Sequence, residues 1–292
     1  MMELLDGKKT SLEIQTELSE KVKLMVGNGI NPPHLVAVLI GDDGASKTYV
    51  NAKVKACERI GFKSTLHHLG SETSEKELLK LIKRLNEDDS VDGFIVQLPL
   101  PSYMDDHKIT LAISPKKDVD GFHPENVGKM ALGLPTFLPA TPNGVMELLK
   151  RYKIPTEGKN TVVIGRSSIV GTPMSILMSR KSNPGNSTVT LAHSRTKNLE
   201  QICKQADILI VAIGIPEFVT SNMVKPNAVV IDVGIHRIED SSKKNGVRLI
   251  GDVNFSEVSQ KCSYITPVPG GVGPMTIASL LMNTYIASNE RN

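Results

Sequence analysis

The chain has 292 residues, of which 40% are hydrophobic and 22% are charged, and its formal net charge is +3. This length and composition predict a soluble globular protein with two domains and exclude a repetitive or low-complexity chain. The mild charge and the 4% of aromatic residues argue against nucleic acid as a partner, and no apolar run approaches the ~20 residues that span a membrane.

The N-terminal residues and the cysteines indicate a reducing compartment. Residues 1–9 mix acidic and basic side chains and lack the apolar run of a secretory signal, which predicts a cytoplasmic location. The three cysteines lie far apart, at Cys57, Cys203 and Cys262. Because they are odd in number and widely spaced, we expect reduced thiols, with neither a disulfide framework nor a metal site.

Helical and strand patterns alternate over the first half of the chain. In chain order they predict a helix at 11–26, a strand at 35–40, a helix at 48–60, a strand at 64–68, a helix at 75–86 and a strand at 93–97. This βαβ alternation predicts a mostly parallel sheet.

A second set of α/β units follows a segment rich in glycine and proline. That segment, between Asp120 and Pro139, predicts a connection between two domains, and a new helix is predicted to open at Thr141-Pro142. Further predicted elements are strands at 160–164, 187–191, 208–212 and 228–233 and a final amphipathic helix at 274–287. The repeated units predict a doubly wound dinucleotide-binding domain.

The turn after the strand at 160–164 has the context of a phosphate-binding turn, because it joins a strand to a helix. Its sequence is Gly165-Arg166-Ser167-Ser168-Ile169-Val170-Gly171. The common Gly-x-Gly-x-x-Gly fingerprint would need glycine at positions 167 and 170. Spacing alone therefore leaves an ordinary strand-to-helix turn as the alternative.

The end of the next predicted strand, residues 192–196, indicates which dinucleotide binds. NAD enzymes typically have an acidic residue there to bind the ribose hydroxyls, and this segment has none. Ser194 and Arg195 instead offer donors to a 2′-phosphate, which favours NADP over NAD. A solvated arginine in a loop is the alternative.

Candidate catalytic residues lie in the first half of the chain. Tyr49 and Lys53 are spaced i, i+4 and share one face of a predicted helix, although such a pair is commonly a buried tyrosine beside a snorkelling lysine. Gln97 ends a buried strand before Leu98-Pro99-Leu100-Pro101, at the end of the sheet where ligands bind; a capping glutamine is the alternative. Near the domain junction lie two acids, Asp118 and Asp120.

The most distinctive segment is Pro269-Gly270-Gly271-Val272-Gly273-Pro274, just before the final helix. Proline makes such a segment rigid, and glycine leaves its backbone bare, so main-chain groups can approach a flat ligand. An ordinary loop before a helix is the alternative.

Together these segments resemble the methylenetetrahydrofolate dehydrogenase/cyclohydrolase family over nearly the whole chain. The segments that carry the resemblance are 41–56, 96–101, 117–124, 165–173 and 266–276. Two positions depart from the family pattern. Ala140 stands where many relatives have cysteine, so we expect no catalytic thiol there, and Ser102-Tyr103-Met104 replaces the usual histidine, so we expect an altered loop.

The resemblance implies an α/β fold of two domains with the active-site cleft between them. Residues 1–140 and 268–292 would form the catalytic domain, and residues 141–267 a Rossmann-like, doubly wound NADP-binding domain. It further implies a homodimer that oxidises 5,10-methylenetetrahydrofolate with NADP and hydrolyses the methenyl product to 10-formyltetrahydrofolate.

The resemblance also implies roles for individual residues, with Asp118 structural. The catalytic residues would be Lys53, Gln97, Tyr49 and Asp120. The folate-binding residues would be Tyr49, Lys53, Val96, Gln97, Leu98, Asp120, Pro269, Gly270, Gly271, Val272 and Gly273. The NADP-binding residues would be Gly165, Arg166, Ser167, Val170, Ser194, Arg195 and Ile235.

Three other functions remain open from the residues alone. A short-chain-type NADP oxidoreductase would use the Tyr49/Lys53 pair, but in that class the nucleotide turn precedes the pair, whereas Gly165 lies far downstream of it. A noncatalytic NADP-binding regulator would need neither Lys53 nor Gln97. A dehydrogenase without cyclohydrolase activity is the third.

Overall fold

The computed structural model of the chain describes residues 2–242 and 246–291. In chain order the strands are β1 (Glu3–Leu4), β2 (His34–Ile40), β3 (Lys63–Leu69), β4 (Gly93–Val96), β5 (Asn160–Ile164), β6 (Thr188–Ala192), β7 (Ile208–Val211), β8 (Val229–Asp232), β9 (His236–Glu239), β10 (Val247–Ile250) and β11 (Tyr264–Ile265). The helices are α1 (Gly7–Gly27), α2 (Gly44–Ile60), α3 (Glu75–Glu87), α4 (Asp106–Ala112), α5 (Pro124–Leu132), α6 (Ala140–Arg151), α7 (Gly171–Ser179), α8 (Leu199–Cys203), α9 (Phe255–Val258) and α10 (Val272–Arg291), with a short 3-10 helix at Ser221–Met223.

Contacts divide the chain into two compact units, each built from two segments. The three-stranded unit consists of Leu12–Ala140 and Ile277–Asn292, and the six-stranded unit of Met1–Ser11 and Thr141–Thr276. The predicted fold class, two α/β domains with parallel sheets, is confirmed. Within the described residues, no helix has the length and apolar composition needed to cross a membrane.

The three-stranded unit has a parallel sheet in the order β3-β2-β4. Every residue of the central strand β2 is buried. Alternate residues on β2 share a core with the apolar stripe of α3, whose members recur at the spacing of one helix face. That core includes Val36, Val38, Ile40, Leu78, Leu81, Ile82 and Leu85. Helix α3 begins at a capping box, in which Ser74 and Glu77 bind each other's backbone N–H groups.

The predicted interdomain connection after Asp120 is wrong over the length of α5, which lies inside the three-stranded unit. Pro124 occupies the first turn of α5, the His123 side chain accepts a hydrogen bond from Glu125 N, and Gly133 ends the helix in the left-handed conformation. The proline and glycine of this segment therefore mark the ends of a helix and not a linker.

The six-stranded unit has a parallel sheet in the order β1-β11-β8-β7-β5-β6, and an antiparallel hairpin formed by β9 and β10. Its core contains apolar residues from the four central strands. They include Val162, Ile164, Leu209, Val211, Val230 and Ile265. The strand order reverses at β5, since β6 pairs with one edge of β5 and β7 with the other. This reversal is the feature that predicts a ligand site at the carboxyl ends of β5 and β7.

The division of the chain differs from the predicted domain limits at two places, although the limit after Ala140 coincides. Residues 1–11 belong to the six-stranded unit because β1 pairs with β11. Residues 268–276 also belong to that unit; Lys8 N, for example, donates to Gly270 O at 2.8 Å. From Ile277 onward α10 belongs to the three-stranded unit, where Asn283 Nδ2 donates to the carbonyl oxygens of Val119 (2.8 Å) and Leu138 (2.9 Å).

Candidate active site

Helix α2 of the three-stranded unit carries Tyr49 and Lys53 on one face of the helix. The helix begins after Asp43, whose carboxyl accepts a hydrogen bond from Ser46 N at 2.7 Å, and it ends at Gly61 in the left-handed conformation. Tyr49 is half-buried, and Lys53 is only 6% exposed. A snorkelling lysine keeps its ammonium group in water, so this burial disfavours a surface role for Lys53.

Gln97 follows β4 and reaches the Lys53 ammonium group. Lys53 Nζ donates to Gln97 Oε1 at 3.1 Å, while Gln97 Nε2 donates to Leu98 O at 2.6 Å. The backbone N–H of Gln97 donates to Val38 O of β2 at 2.9 Å, so the sheet fixes where the side chain starts. Because its amide nitrogen is bound to Leu98 O, the amide presents its oxygen to Lys53.

Lys53 and Asp120 each counteract the effect of burial on the pKa of the other. Burial lowers the pKa of Lys53, and the negative charge of Asp120 partly offsets this by favouring the ammonium form. Burial likewise raises the pKa of Asp120, and the Lys53 charge offsets that. Burial also raises the pKa of Tyr49, so its phenol stays protonated. A lysine in this setting can give and accept protons closer to neutral pH than an exposed one.

Of the two acids near residue 120, Asp118 is tied to the neighbouring helix by hydrogen bonds. The Asp118 carboxyl accepts hydrogen bonds from His123 N at 2.7 Å and from Asn126 Nδ2 at 2.9 Å, and burial raises its pKa to about 6. These contacts tie Asp118 to the start of α5, in agreement with a structural role. Asp118 and Asp120 both line a small cavity together with Val96 and Leu98.

The altered loop after Pro101 is anchored by its tyrosine. Tyr103 Oη donates to Ser71 O at 2.6 Å and to Thr73 O at 3.1 Å, and Met104 N donates to Pro101 O at 2.9 Å. The loop after β4 is therefore tied to the loop after β3. Tyr103 was not among the predicted site residues. The only feature of the sequence that could have indicated it is a tyrosine in the loop shortly after Gln97.

The turn between β5 and α7 needs glycine at both of its ends. Gly165 has a φ of +112°, and a Cβ atom there would collide with the carbonyl oxygen of Ala212. A Cβ atom at Gly171 would collide with the carbonyl oxygen of Gly165. Between them Ser167 Oγ accepts hydrogen bonds from Val170 N at 3.2 Å and Gly171 N at 3.3 Å. These contacts explain how the turn closes with Ser167 and Val170 at positions where the common fingerprint has glycine.

The segment after β6 forms a compact turn that leaves its donors in solvent. His193 N donates to Thr196 Oγ1 at 2.8 Å, and Arg195 N donates to His193 Nδ1 at 3.2 Å. Ser194 and Arg195 are exposed, as is Arg166 in the preceding turn. The guanidinium groups of Arg166 and Arg195 are both exposed, and residues 192–196 contain no acid. This arrangement fits a phosphorylated dinucleotide. Ile235, three residues beyond β8, is 45% exposed.

The glycine-rich segment lies in the six-stranded unit, whereas Tyr49, Lys53, Gln97 and Asp120 lie in the three-stranded unit. Thr266, three residues before this segment, is buried and accepts a hydrogen bond from Asp232 N at 2.7 Å. A Cβ atom at Gly7 would collide with the carbonyl oxygen of Gly271, so the backbone of the segment abuts the first residue of α1.

Sequence reasoning missed a pair of buried carboxyl groups at the carboxyl ends of the strands, Asp232 and Asp252. Asp252 is 0% exposed and Asp232 is 3% exposed. The signal in the sequence is a glycine within two residues of each acid, in Asp232-Val233-Gly234 and Gly251-Asp252. Among the described residues, no group of three His, Cys, Asp or Glu side chains is arranged to hold a metal ion.

Two family models match the chain. Residues 5–120 match the catalytic domain of tetrahydrofolate dehydrogenase/cyclohydrolase, and residues 139–292 match the NAD(P)-binding domain of the same family.

Individual relatives match over almost their full length. The bifunctional protein FolD of Cytophaga hutchinsonii is 64% identical over 287 residues, which cover 98% of this chain and 99% of that protein. The crystal structure of bifunctional FolD from Campylobacter jejuni is 50% identical with a TM-score of 0.93, covering 100% of both chains. The Trypanosoma brucei enzyme, complexed with NADP cofactor and inhibitor, is 36% identical with a TM-score of 0.93, covering 99% of this chain and 98% of that one.

Proposed function

The chain belongs to the tetrahydrofolate dehydrogenase/cyclohydrolase family, and from this membership we propose that it is a bifunctional, NADP-dependent enzyme. It oxidises 5,10-methylenetetrahydrofolate to the 5,10-methenyl form and hydrolyses that product to 10-formyltetrahydrofolate. The observation that carries the proposal is the Lys53 ammonium group, which is buried and held 3.1 Å from Gln97 Oε1.

The dehydrogenase step needs positioning more than proton transfer. The hydride leaves a carbon that is bonded to two nitrogens, and the positive charge that forms is shared between them, so no protein base is required. Asp120 binds the amino and ring N–H groups of the pterin, a bidentate task that suits a carboxylate, and Tyr49 flanks the ring. When bound, the nicotinamide ring of NADP accepts the hydride.

The chain supplies separate groups for different parts of NADP. Gly165, Arg166, Ser167 and Val170 form the turn that would hold the pyrophosphate, since backbone N–H groups at the start of a helix favour anions. Ser194 and Arg195 would bind the 2′-phosphate, and Ile235 would contact the cofactor beyond β8. The absence of an acid in residues 192–196 supports NADP over NAD.

The cyclohydrolase step needs proton transfer, and Lys53 is the group that can perform it. Water loses one proton as it attacks the methenyl carbon and a second as the formyl C=O forms; the ring nitrogen whose bond to this carbon breaks gains one proton, and the other is released to solvent. Burial lowers the pKa of Lys53, and the positive charge of the methenyl substrate would lower it further, so the amine can act as base and then as acid. Gln97 keeps the amine in place for both transfers.

The remaining folate contacts are proposed from the resemblance and from local geometry. Val96 and Leu98 flank Gln97 and line the same small cavity as Asp120. The bare backbone of Pro269, Gly270, Gly271, Val272 and Gly273 would approach the flat face of the ligand.

The other functions considered explain fewer of the observations. A noncatalytic NADP-binding protein gives no reason to bury Lys53 against Gln97, because removing a charged amine from water costs free energy. A short-chain-type oxidoreductase is disfavoured by the chain order of Tyr49, Lys53 and Gly165.

Assembly and location are proposed on narrower grounds. The family resemblance supports a homodimer, which sedimentation equilibrium of the purified chain tests directly. Cys57, Cys203 and Cys262 are all free and buried, which supports a reducing, cytoplasmic compartment.

The function is tested by replacing Lys53 with methionine, which keeps most of the apolar stem and removes the amine. Cyclohydrolase activity of Lys53→Met should fall by roughly 10²- to 10⁴-fold, the loss typical of a missing general acid or base. Dehydrogenase activity should survive in part, and methenyltetrahydrofolate should accumulate in the coupled assay. Lys55→Met, on an exposed lysine of the same helix, is the matched control and should leave both rates unchanged. Hydrolysis by Lys53→Met at the original rate would refute the role of Lys53.

A further inference from the structure

A fully buried carboxyl group, that of Asp252, joins the loops that follow β7 and β8. Its Oδ2 accepts hydrogen bonds from Ile213 N at 2.7 Å and from Gly214 N at 3.0 Å, just after β7. Its Oδ1 accepts a hydrogen bond from His236 Nε2 at 2.7 Å, just after the loop that follows β8. One side chain thus fixes two separate loops at the carboxyl ends of neighbouring strands.

A second buried carboxyl group, that of Asp232, holds the segment that carries Asp252. Asp232 Oδ1 accepts hydrogen bonds from Asp252 N and Gly234 N, both at 2.9 Å, and Oδ2 accepts one from Val253 N at 3.0 Å. The two acids fit only beside glycine. A Cβ atom at Gly234 would collide with the Asp252 carboxyl, and one at Gly251 would collide with that of Asp232.

The loop that Asp252 holds is in contact with the predicted phosphate-binding turn. Gly165 opens that turn after β5, and it approaches Ala212 so closely that a Cβ atom at Gly165 would collide with the Ala212 carbonyl oxygen. Ala212 directly precedes Ile213, whose N–H group is bound to Asp252. Since the strand order reverses between these two loops, they are the loops across which a dinucleotide lies in open α/β sheets.

His236 completes this arrangement from the other side. It follows Ile235, a proposed cofactor contact, and it is the first residue of β9, where it pairs with Ile250 of β10. The His236–Asp252 hydrogen bond therefore closes the base of the hairpin and fixes the loop that presents Ile235.

We infer that Asp252 and His236 are positioning residues of the NADP site, which hold the loops after β7 and β8 in the geometry that receives the cofactor. This inference rests on the proposed function, because it requires that NADP bind at the Gly165 turn. Neither residue needs to touch NADP; each acts through the backbone of residues 212–214 or 234–236.

The test compares cofactor binding in Asp252→Asn, His236→Leu and His236→Gln, with binding of NADPH measured by calorimetry. The dissociation constant should rise on the order of tenfold or more in Asp252→Asn and His236→Leu, the effect of losing one charge-assisted hydrogen bond. His236→Gln keeps a donor in nearly the same position and should restore much of the affinity. By charge alone, replacing an acid with an amide would strengthen binding of an anionic cofactor, so weaker binding by Asp252→Asn reports geometry.

Two readouts separate positioning from general stability. Hydrolysis of methenyltetrahydrofolate uses no NADP, so its rate should stay at the original value in all three variants, while the Michaelis constant for NADP rises with the dissociation constant. Glu239→Gln, on an exposed residue of the same strand β9, is the matched control and should bind NADPH normally.

The inference is wrong if His236→Leu or Asp252→Asn binds NADPH as tightly as the unaltered chain, even where the melting temperature falls. Should Asp252→Asn fail to fold, the contrast between His236→Leu and His236→Gln decides alone. An unaltered chain that neither binds NADPH nor oxidises methylenetetrahydrofolate would instead overturn the proposed function.

Discussion

Lys53 and Asp120 shift each other's pKa in opposite directions, so changing one changes the protonation of the other. The Asp120 charge raises the pKa of Lys53 against the effect of burial. The same carboxyl is proposed to bind the pterin. A single substitution at Asp120 therefore tests substrate binding and lysine protonation together.

Asp120→Asn should weaken the binding of a folate analogue and lower both activities, because placement of the substrate precedes both steps. Without the carboxyl charge, the pKa of Lys53 falls further. The limb of the cyclohydrolase pH profile that reflects deprotonation of Lys53 should then move to lower pH. Titration with the analogue and rates across pH check both points, with the exposed Asp106→Asn as control. Normal affinity with lowered thermal stability would mean that Asp120 only supports the fold.

Arg195→Ala should raise the Michaelis constant for NADP tenfold or more and leave the constant for NAD nearly unchanged. A hydrogen bond to a charged group contributes about 1.5–3 kcal/mol, and only NADP carries the 2′-phosphate that would receive it. Steady-state kinetics with both cofactors measures the two constants. Lys181→Ala, which removes an exposed positive charge elsewhere in the same unit, should change neither. Equal use of the two cofactors by the unaltered chain would contradict the 2′-phosphate assignment.

At the scale of elements, one histidine joins all three strands of the smaller sheet near their amino ends. His34 opens β2; its N–H donates to Asp92 Oδ2 at 2.7 Å, and its Nδ1 donates to Ser90 O at 2.8 Å, just before β4. Its Nε2 is hydrogen-bonded to Thr65 Oγ1 of β3 at 2.9 Å. Burial lowers the pKa of the ring, which favours its neutral form.

Because the folded-state pKa of His34 is lowered, its contribution to stability is present above the unfolded value near 6.5 and is lost as pH falls below it. The free energy of unfolding of the unaltered chain should therefore drop more between pH 7 and pH 5 than that of His34→Asn. Burial raises the pKa of Asp118 and Asp232 to about 6, which acts in the opposite sense but equally in both proteins. Urea denaturation at the two pH values measures the difference, and parallel curves would contradict it.

The elements that sequence patterns predicted are those with a repeating apolar signal. The stripe Leu78, Leu81, Ile82 and Leu85 predicts α3, and the buried run at 35–40 predicts β2. By contrast, β1 has two residues and no period, and the hairpin of β9 and β10 is only partly buried, so neither has such a signal. Helix α5 was missed because its Pro124 and Gly133 are also the residues of a linker.

The candidate site, like the fold, was predictable only where the sequence carries a local pattern. Lys53 and Gln97 were predicted from motif and position, and the structure brings them within hydrogen-bond distance. The hydrogen bond between Asp252 and His236 was not predicted, because it joins residues that are separated in the chain and carry no common motif. Such contacts are set by the fold and not by local pattern.

At the scale of the whole molecule, α10 stabilises the three-stranded unit through a buried amide. Asn283 is 2% exposed, and its Nδ2 donates to the carbonyl oxygens of Val119 and Leu138. Asn283→Ala leaves both acceptors without this donor and should lower the free energy of unfolding by about 1–3 kcal/mol. Asn289→Ala, on an exposed residue of the same helix, should change it little. Equal stabilities of the two variants in urea would show that the contacts of Asn283 add nothing.

The place of α10 in the fold also sets an order of events during synthesis. Residues 12–140 leave the ribosome long before Ile277, yet the three-stranded unit needs the segment from Ile277 onward to bind the carbonyls of Val119 and Leu138. The last segment of the six-stranded unit ends at Thr276, so all of its segments are made first. The nascent chain therefore carries Lys53 in an incomplete unit until the nucleotide-binding unit has been made. A chaperone could bind the incomplete three-stranded unit for longer than it could bind the six-stranded unit.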